Sequence, residues 1–391
     1  MAMARTEPFT AAPSAGKKFE KMSLPAASTG VMWPTMNSLN KQVSGTCGAS
    51  KGISLANRVR AAAVALVLTA GCGSALAATL YVDQRFGPGG NGSTNAPYNT
   101  IQAAINDGRS TDVIVYPGTY RENLSVQKSI RIVGYDGPRT TVIDGSAGGN
   151  AITIAANMTV TIQGLTISSG TYGVFQPTAG TLYLQNCIFC GNRSHGVYLD
   201  RTSTSLFPTV FIYNCISVSN NGSGIYLNAA WNGNYFYPTV IIYNTILAGN
   251  MAYGLEARYS GFTSGSITLD YNDYVANALG NYSALFGPGK PITAGSHSFS
   301  LNPDFVGGSA YTCNQDYRLS PGSPCLNTGA LGVGWLNPDG TRNDIGAYGG
   351  PGAARFFTNP NGLPIISNVT IDQGMVPKGS TFTIRAKGAV H

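Results

Sequence analysis

The sequence predicts an all-β chain wound into a stacked parallel solenoid. Three observations carry that: a phrase repeated with a period near thirty residues, a two-residue alternation inside each copy, and Asn and Gly turns where helices would otherwise join the strands. The stretches GTLYLQNCIFCGNRSHGVYLD, PTVFIYNCISVSNNGSGIYLN and PTVIIYNTILAGNMAYGLEAR keep one order of residue types, and a worn copy, GSITLDYNDYVANALGNY, follows. Asn186, Asn214, Asn244 and Asn272 mark the register, 28, 30 and 28 residues apart. A period of that size means stacked units, each too small to bury a core alone.

Each copy reads as two short strands. In the first, Leu182 and Leu184, Val210 and Ile212, and Val240 and Ile242 share the inner face, while Tyr183, Phe211 and Ile241 point outward. In the second, Val197 and Leu199, Ile225 and Leu227, and Leu255 and Ala257 point inward. The turn between them holds a second file of asparagines, Asn192, Asn220 and Asn250, followed by Gly196, Gly224 and Gly254. Winding such a chain stacks successive coils at about 4.8 Å.

This pattern resembles the right-handed parallel β-helix repeat of the pectin-lyase-like superfamily. The resemblance implies that both asparagine files are structural ladders, each amide bonding to the next coil. The residue type suits that role, since Asn tolerates left-handed backbone and carries both donors and an acceptor.

The formal charge of +7 belongs mostly to the first 77 residues, which hold 8 of the 24 Lys and Arg and 2 of the 17 acidic residues. The remainder is close to neutral, so the charge gives no argument for nucleic acid as a partner. Residues 1 to 77 read as a leader: Lys51, Arg58 and Arg60 precede the apolar run AAAVALVLTAGCGSALA, which ends in a small-x-small site. The expectation is export with cleavage after Ala77 to the cell surface or beyond. The run is too short and Gly-rich to span a membrane, and no span is expected after cleavage.

Residues 78 to 350 form the expected solenoid domain. Ile101, Ala104 and Ile105 fall at helical spacing, Asn99 or Thr100 can cap the start, and Gly108 can end the helix. One short helix here would cover the open end of the core. TIQAAI, VYPGTYREN and TVIDG also resemble the opening of secreted β-helix proteins. After the worn copy, LNPDFVGG, DYRLSPGSPCLNTG and NPDGTRNDIGAYGG resemble the closing segment of exported proteins described as choice-of-anchor, an irregular C-terminal segment. Asn327 and Gly349 stand where relatives tend to carry Asp and Glu, so no carboxylate role is expected at those two positions. Residues 351 to 391 read as a linker and a pair of β-strands, too short to close a sandwich and available for self-association.

Five cysteines follow the leader. Cys313 and Cys325 flank a short loop in an exported segment, and a disulfide is expected between them. Cys187 and Cys215 stack within disulfide reach, although parallel side chains oppose good torsion. Cys190 shares a file with Val218 and Ala248 and reads as a buried thiol. No spacing resembles a metal site, and no cofactor is expected, Ca²⁺ excepted if the protein is a lyase.

Candidate chemistry sits on the outer face of the second strand. Tyr198, Tyr226 and Glu256 form one file, and Asp200, Asn228 and Arg258 form the next. After each coil comes a loop rich in aromatics, including Phe207, Trp231, Tyr235, Phe236, Tyr237, Tyr259 and Phe262. Flat rings accept the C–H faces of sugars, while carboxylates, amides and guanidinium take hydroxyls or uronate groups. The reading is a polysaccharide partner held by Tyr198, Tyr226, Asn228, Trp231, Tyr235, Tyr237, Tyr259 and Phe262.

Two alternatives stand beside it. One is a polysaccharide lyase or glycosidase using Asp200, Glu256 and Arg258; two coils separate the carboxylates, nominally about 9.6 Å, at the edge of the inverting range. The other is a structural or assembly protein whose aromatics pack on the wall and whose charges are solvated. The polygalacturonase motifs NTD, DD, GHG and RIK are absent, as is the pectate-lyase-type WIDH; SHG at Ser194 to Gly196 is a lone echo. Asp270 and Asp273 could hold Ca²⁺, but more simply stiffen a turn.

Overall fold

The computed structural model describes residues 77–177, 179–200, 208–228, 239–258, 267–283 and 294–357, and the backbone of two later strands. The expected leader and the aromatic loops, including Phe207, Trp231, Tyr235, Phe236, Tyr237, Tyr259 and Phe262, lie outside the described residues.

The chain is an all-β parallel β-helix with three sheets, of eight, seven and seven strands among the described residues. The first sheet takes the opening strand of every coil, from Ala78–Val82 through Gly180–Gln185, Pro208–Tyr213 and Thr239–Tyr243 to Ile267–Asp270. Its inward file runs Leu80, Val113, Ile132, Ile162, Leu184, Ile212, Ile242, Leu269, each paired in register with the next. All eight are buried. The third sheet takes the closing strand of each coil, including Val174–Gln176, Val197–Leu199, Ile225–Asn228 and Tyr253–Arg258, with the expected inward residues buried.

Between these lies a strand that the two-strand reading of the repeat lacks. Gly118–Tyr120, Thr141–Asp144, Thr166–Ser168, Ile188–Cys190, Ile216–Val218, Ile246–Ala248 and Asp273–Val275 form the second sheet. Phe189 and Leu247 face the lumen. Ile188, Cys190, Ile216, Val218, Ile246 and Ala248 face the other way, under Phe305, Tyr311, Tyr317, Ile345, Ala347 and Tyr348 of the closing segment. Both faces are therefore buried, and the alternation that betrays a half-buried strand is lost.

The two asparagine files do different work. Asn192, Asn220 and Asn250 form a ladder that continues to Asn277, each amide donating to the next Oδ1 at 2.9 Å. Asn186, Asn214 and Asn244 also form a column, all in left-handed backbone at φ 52°, 49° and 54°. Their contact with one another is weak, the Asn244 amide reaching Asn214 at 3.5 Å. Instead they bind the closing segment. Asn244 Oδ1 accepts from Ala330 N, Asn214 Nδ2 donates to Asp344 O, and Asn186 Nδ2 donates to Ala347 O and Gly349 O, at 2.8 to 3.0 Å. One coil further, Gln163 Nε2 donates to Gly352 O at 2.9 Å. The segment thus runs down the coils as a strap and continues beyond residue 350, the expected domain boundary, to the buried Ala353 and Phe357.

In the worn copy the column passes to Tyr271, at φ 55°, because Tyr243 pairs with Asp270. Asn272 sits one place later, behind Cys187, Cys215 and Thr245, so its use as a register mark is corrected by one residue. Close approach fixes the strap's composition. A Cβ at Gly352 would lie 2.1 Å from Asn186 Oδ1, and one at Gly349 would lie 2.1 Å from Asp344 O.

The cysteine pairing also differs from expectation. Cys313 bonds to Cys190, across 123 residues, and Cys325 is free and buried, so the expected Cys313–Cys325 bridge is replaced. The cause is the strap, which lays Cys313 against the outer face of the second sheet, where Cys190 points. Cys187 and Cys215 are free and buried in the lumen, where each thiol donates to a backbone carbonyl.

At the N-terminal end the helix Ile101–Asn106 covers the core, with Ile101, Ala104 and Ile105 buried. Thr100 caps it by accepting from Ala103 N, and Glu122 accepts from the first two free amides, Ile101 N and Gln102 N. At the other end of the chain Ile365–Ile371 and Ile384–Ala389 form an antiparallel pair.

Candidate functional site

The third sheet presents one outward row. Register places Thr153, Phe175, Tyr198, Tyr226 and Glu256 side by side on successive strands. Phe175 stacks on Tyr198 at 5.3 Å between ring centroids, and Tyr198 meets Tyr226 at 5.0 Å. Two further rings join from the turns before these strands. Tyr172 lies 4.5 Å from Tyr198, and His195 stacks on Tyr226 at 4.3 Å with 19° between planes.

The row ends in charge. Arg258 Nε donates to Glu256 Oε1 at 2.9 Å, and its guanidinium lies 5.8 Å from the Tyr226 ring centre. Glu256 is 5% exposed and its second oxygen accepts from the Ser223 hydroxyl, whereas Arg258 is largely open to solvent. In the neighbouring file Asn228 Nδ2 donates to Asp200 Oδ1 at 2.8 Å and to the Tyr198 hydroxyl at 3.1 Å. Asn228 pairs in register with Arg258. The structure therefore brings Tyr198, Tyr226, Asn228, Asp200, Glu256 and Arg258 onto one face.

The electrostatics follow from that packing. Burial pushes the Tyr198 phenol up to about 12 and raises Tyr226. Burial also lowers His195 to about 4, against the pull of Glu256. His195 is thus neutral at neutral pH, and its Nδ1 accepts from Ser223 N at 2.9 Å. The hydrogen bond that Arg258 donates to Glu256 raises the guanidinium above its ordinary value.

Sequence reasoning did not reach Tyr172, Phe175 and His195. The signal for Phe175 was present: TYGVFQ has the Gly-aliphatic-aromatic phase of HGVYLD and SGIYLN, one coil earlier than the first copy recognised. His195 lies in the turn before Val197–Leu199 with its ring on the row.

Asp270 and Asp273 do not converge. Asp270 pairs with His297 Nδ1 at 2.8 Å, and that ring stacks on Tyr271. Asp273 is fully buried under the strap, accepting from Leu301 N at 3.0 Å and from the Cys325 thiol. Burial raises Asp273 to about 7 and Asp344, which accepts from Asn327 N, to about 6. Among the described residues no group of three or more His, Cys, Asp and Glu is placed to hold a metal ion. No helix among them is long and apolar enough to cross a membrane.

These features define a parallel β-helix protein. Residues 106–296 match the model of the family described as "Periplasmic copper-binding protein (NosD)". Among solved structures the chain is similar to the pectate lyase Pel9A, at 15% identity over 70% of this chain and 97% of that one, with a TM-score of 0.35. It is also similar to the pectin methylesterase of Aspergillus niger in deglycosylated form, at 14% identity over 64% of this chain and 91% of that one, with a TM-score of 0.29. No curated protein matches the chain.

Proposed function

We propose that this chain is an exported β-helix protein that holds a polysaccharide along the outer face of its third sheet, without turning it over. The observation that carries the reading is the unbroken row Phe175, Tyr198, Tyr226, ended by the exposed guanidinium of Arg258. Phe175 and Tyr198 are partly open rings that can take the C–H faces of sugars, Tyr226 is buried with His195 stacked on it, and the guanidinium at the end suits hydroxyl or uronate groups. The loop residues Trp231, Tyr235, Tyr237, Tyr259 and Phe262 follow these strands directly in the sequence and belong to the same reading. Export rests on the leader and on the periplasmic character named for the matching family.

Binding is favoured over catalysis because the candidate acid and base groups are already engaged. Both Glu256 oxygens accept from protein donors, and Asp200 accepts from Asn228. A lyase base at Arg258 would have to lose a proton that Glu256 holds more firmly. A Ca²⁺-assisted reaction would draw on these same occupied carboxylates.

Copper, named for the matching family, finds no fitting donor set among the described residues. The paired thiols Cys187 and Cys215 face an apolar lumen, and burial raises Cys215 well above its ordinary value, which keeps it a protonated donor to carbonyls. No step is assigned to the metal.

The test is affinity electrophoresis in gels containing polygalacturonate, alginate or neutral glucans. Tyr198→Ala and Trp231→Ala should each weaken retention roughly three- to tenfold, the worth of one seated ring. If no polymer retards the protein, or both variants run as the wild type does, the reading fails. Unsaturated products or new reducing ends on incubation with Ca²⁺ would replace it with the enzyme alternative.

A further inference from the structure

The outer face of the second sheet changes chemistry along the solenoid. In Ile188–Cys190, Ile216–Val218 and Ile246–Ala248 it is apolar and the strap lies flat upon it. In the three preceding strands the same face carries Thr119, then Val142 and Asp144, then Thr166 and Ser168. Over these the strap supplies residues 313 to 317 and Tyr348 as a roof, and a cavity of about 490 Å³ opens between roof and sheet. That is the size of a small-molecule site.

The cavity has a firm frame. Its roof is joined to the sheet by the Cys190–Cys313 bond, and its floor residues Thr166 and Ser168 are each 7% exposed. Thr166 is fixed by donating to Pro138 O at 2.6 Å. Its charges are matched before any ligand arrives. Asp316 is held by Arg318 and lies 3.6 Å from Arg139, and Asp144 lies 3.5 Å from Arg121. Nothing in the lining therefore calls for an ion. What remains is a set of hydroxyls on the floor and the amide of Asn314 above, the Gln315 amide being held by Thr312 N and Gly308 O, with Val142, Pro138 and the Tyr317 ring as apolar surface.

One group lacks a partner. Tyr348 is 7% exposed, lines the cavity, and its hydroxyl makes no hydrogen bond among the described residues. A phenol lining a cavity without a protein acceptor can donate to a ligand oxygen.

We propose that this cavity binds a neutral saccharide unit of one or two rings. Hydroxyls, an amide and carboxylates with saturated charge suit a ligand that is dense in hydroxyls and carries no charge, and the apolar patch suits its C–H face. The site is on a different sheet from the aromatic row and stands independently of it.

The test is saturation-transfer NMR on the full exported chain with its disulfide intact. The probes are glucose, galactose, mannose, N-acetylglucosamine, cellobiose and maltose, with galacturonate and inorganic phosphate as charged controls. At least one neutral sugar should bind. Tyr348→Phe, which removes only the hydroxyl, should weaken it roughly three- to tenfold. Thr119→Trp, at the exposed rim, should block entry while leaving the thermal midpoint unchanged, and Tyr198→Ala should leave this binding intact. The proposal is overturned if no neutral sugar binds, if binding survives Thr119→Trp, or if phosphate or galacturonate displaces every neutral probe. Loss of polymer retention in Tyr198→Ala with sugar binding preserved would separate the two sites.

Discussion

Replacing Asn220 by Ala should be among the most damaging single changes in the solenoid. The side chain is fully buried and makes five bonds. Its Oδ1 accepts from Asn192 N at 3.1 Å and Asn192 Nδ2 at 2.9 Å, and its Nδ2 donates to Phe189 O, Ser217 Oγ and Asn250 Oδ1 at 3.2, 3.1 and 2.9 Å. Truncation leaves the Asn192 amide without its acceptor, at about 1–3 kcal/mol, and removes further net bonds at about 0.5–1.5 kcal/mol each. Asn250 Oδ1 still accepts from Asn220 N, so not every loss leaves an orphan. A total of about 3–5 kcal/mol follows. Asn220→Asp is the sharper control: it keeps the acceptor but turns a second oxygen toward three acceptors, so it should be no better than Ala. Because a solenoid opens coil by coil, urea titration should be paired with amide exchange of the coils around Asn192 and Asn250. A loss below about 1 kcal/mol, or a well-tolerated Asp, would refute the reasoning.

Two further outcomes follow from the strap. Cys190→Ser should expose residues 313 to 357 to limited proteolysis and destabilise by up to about 5 kcal/mol, the chain-entropy value for a loop of 123 residues, whereas Cys325→Ala should leave proteolysis unchanged. Asp273 is raised to about 7 and Asp344 to about 6. A carboxyl raised on folding gives stability that is full below its unfolded value, 3.8, and is lost as pH climbs through its folded value. His195, lowered to about 4, acts with the opposite sign, losing its contribution as pH falls toward that value. The midpoint of thermal unfolding should therefore fall between about pH 5 and about pH 8 in the wild type, and Asp273→Asn should flatten that decline; equal slopes would count against a buried, protonated Asp273.

How far the sequence could be read depended on what each face touches. The first sheet was legible because one face meets the lumen and the other does not, so Leu184, Ile212 and Ile242 alternate with more open neighbours. The second sheet was not, because Ile216, Ser217 and Val218 are all buried and leave no period to detect. The asparagine columns were visible as columns, but whether Asn214 binds the next coil or the strap depends on chain 130 residues away. The same distance hid the Cys190–Cys313 bond. The face bearing Tyr198, Tyr226 and Arg258 followed from register alone, while Phe175 required recognising a coil whose copy of the phrase had drifted.

The strap also constrains how this fold can change length. It engages four consecutive coils in descending order, at Asn244, Asn214, Asn186 and Gln163, with a different strap residue at each. Inserting or deleting one repeat among them would displace every later partner by about 4.8 Å, more than a hydrogen bond can span. Gain or loss of a repeat in this region would therefore require residues 330 to 352 to change in the same step, and the coils ahead of Gln163 are tied as well, through Arg139 to Asp316 and Tyr135 to Arg355. The strap works as a gauge that counts the rungs beneath it.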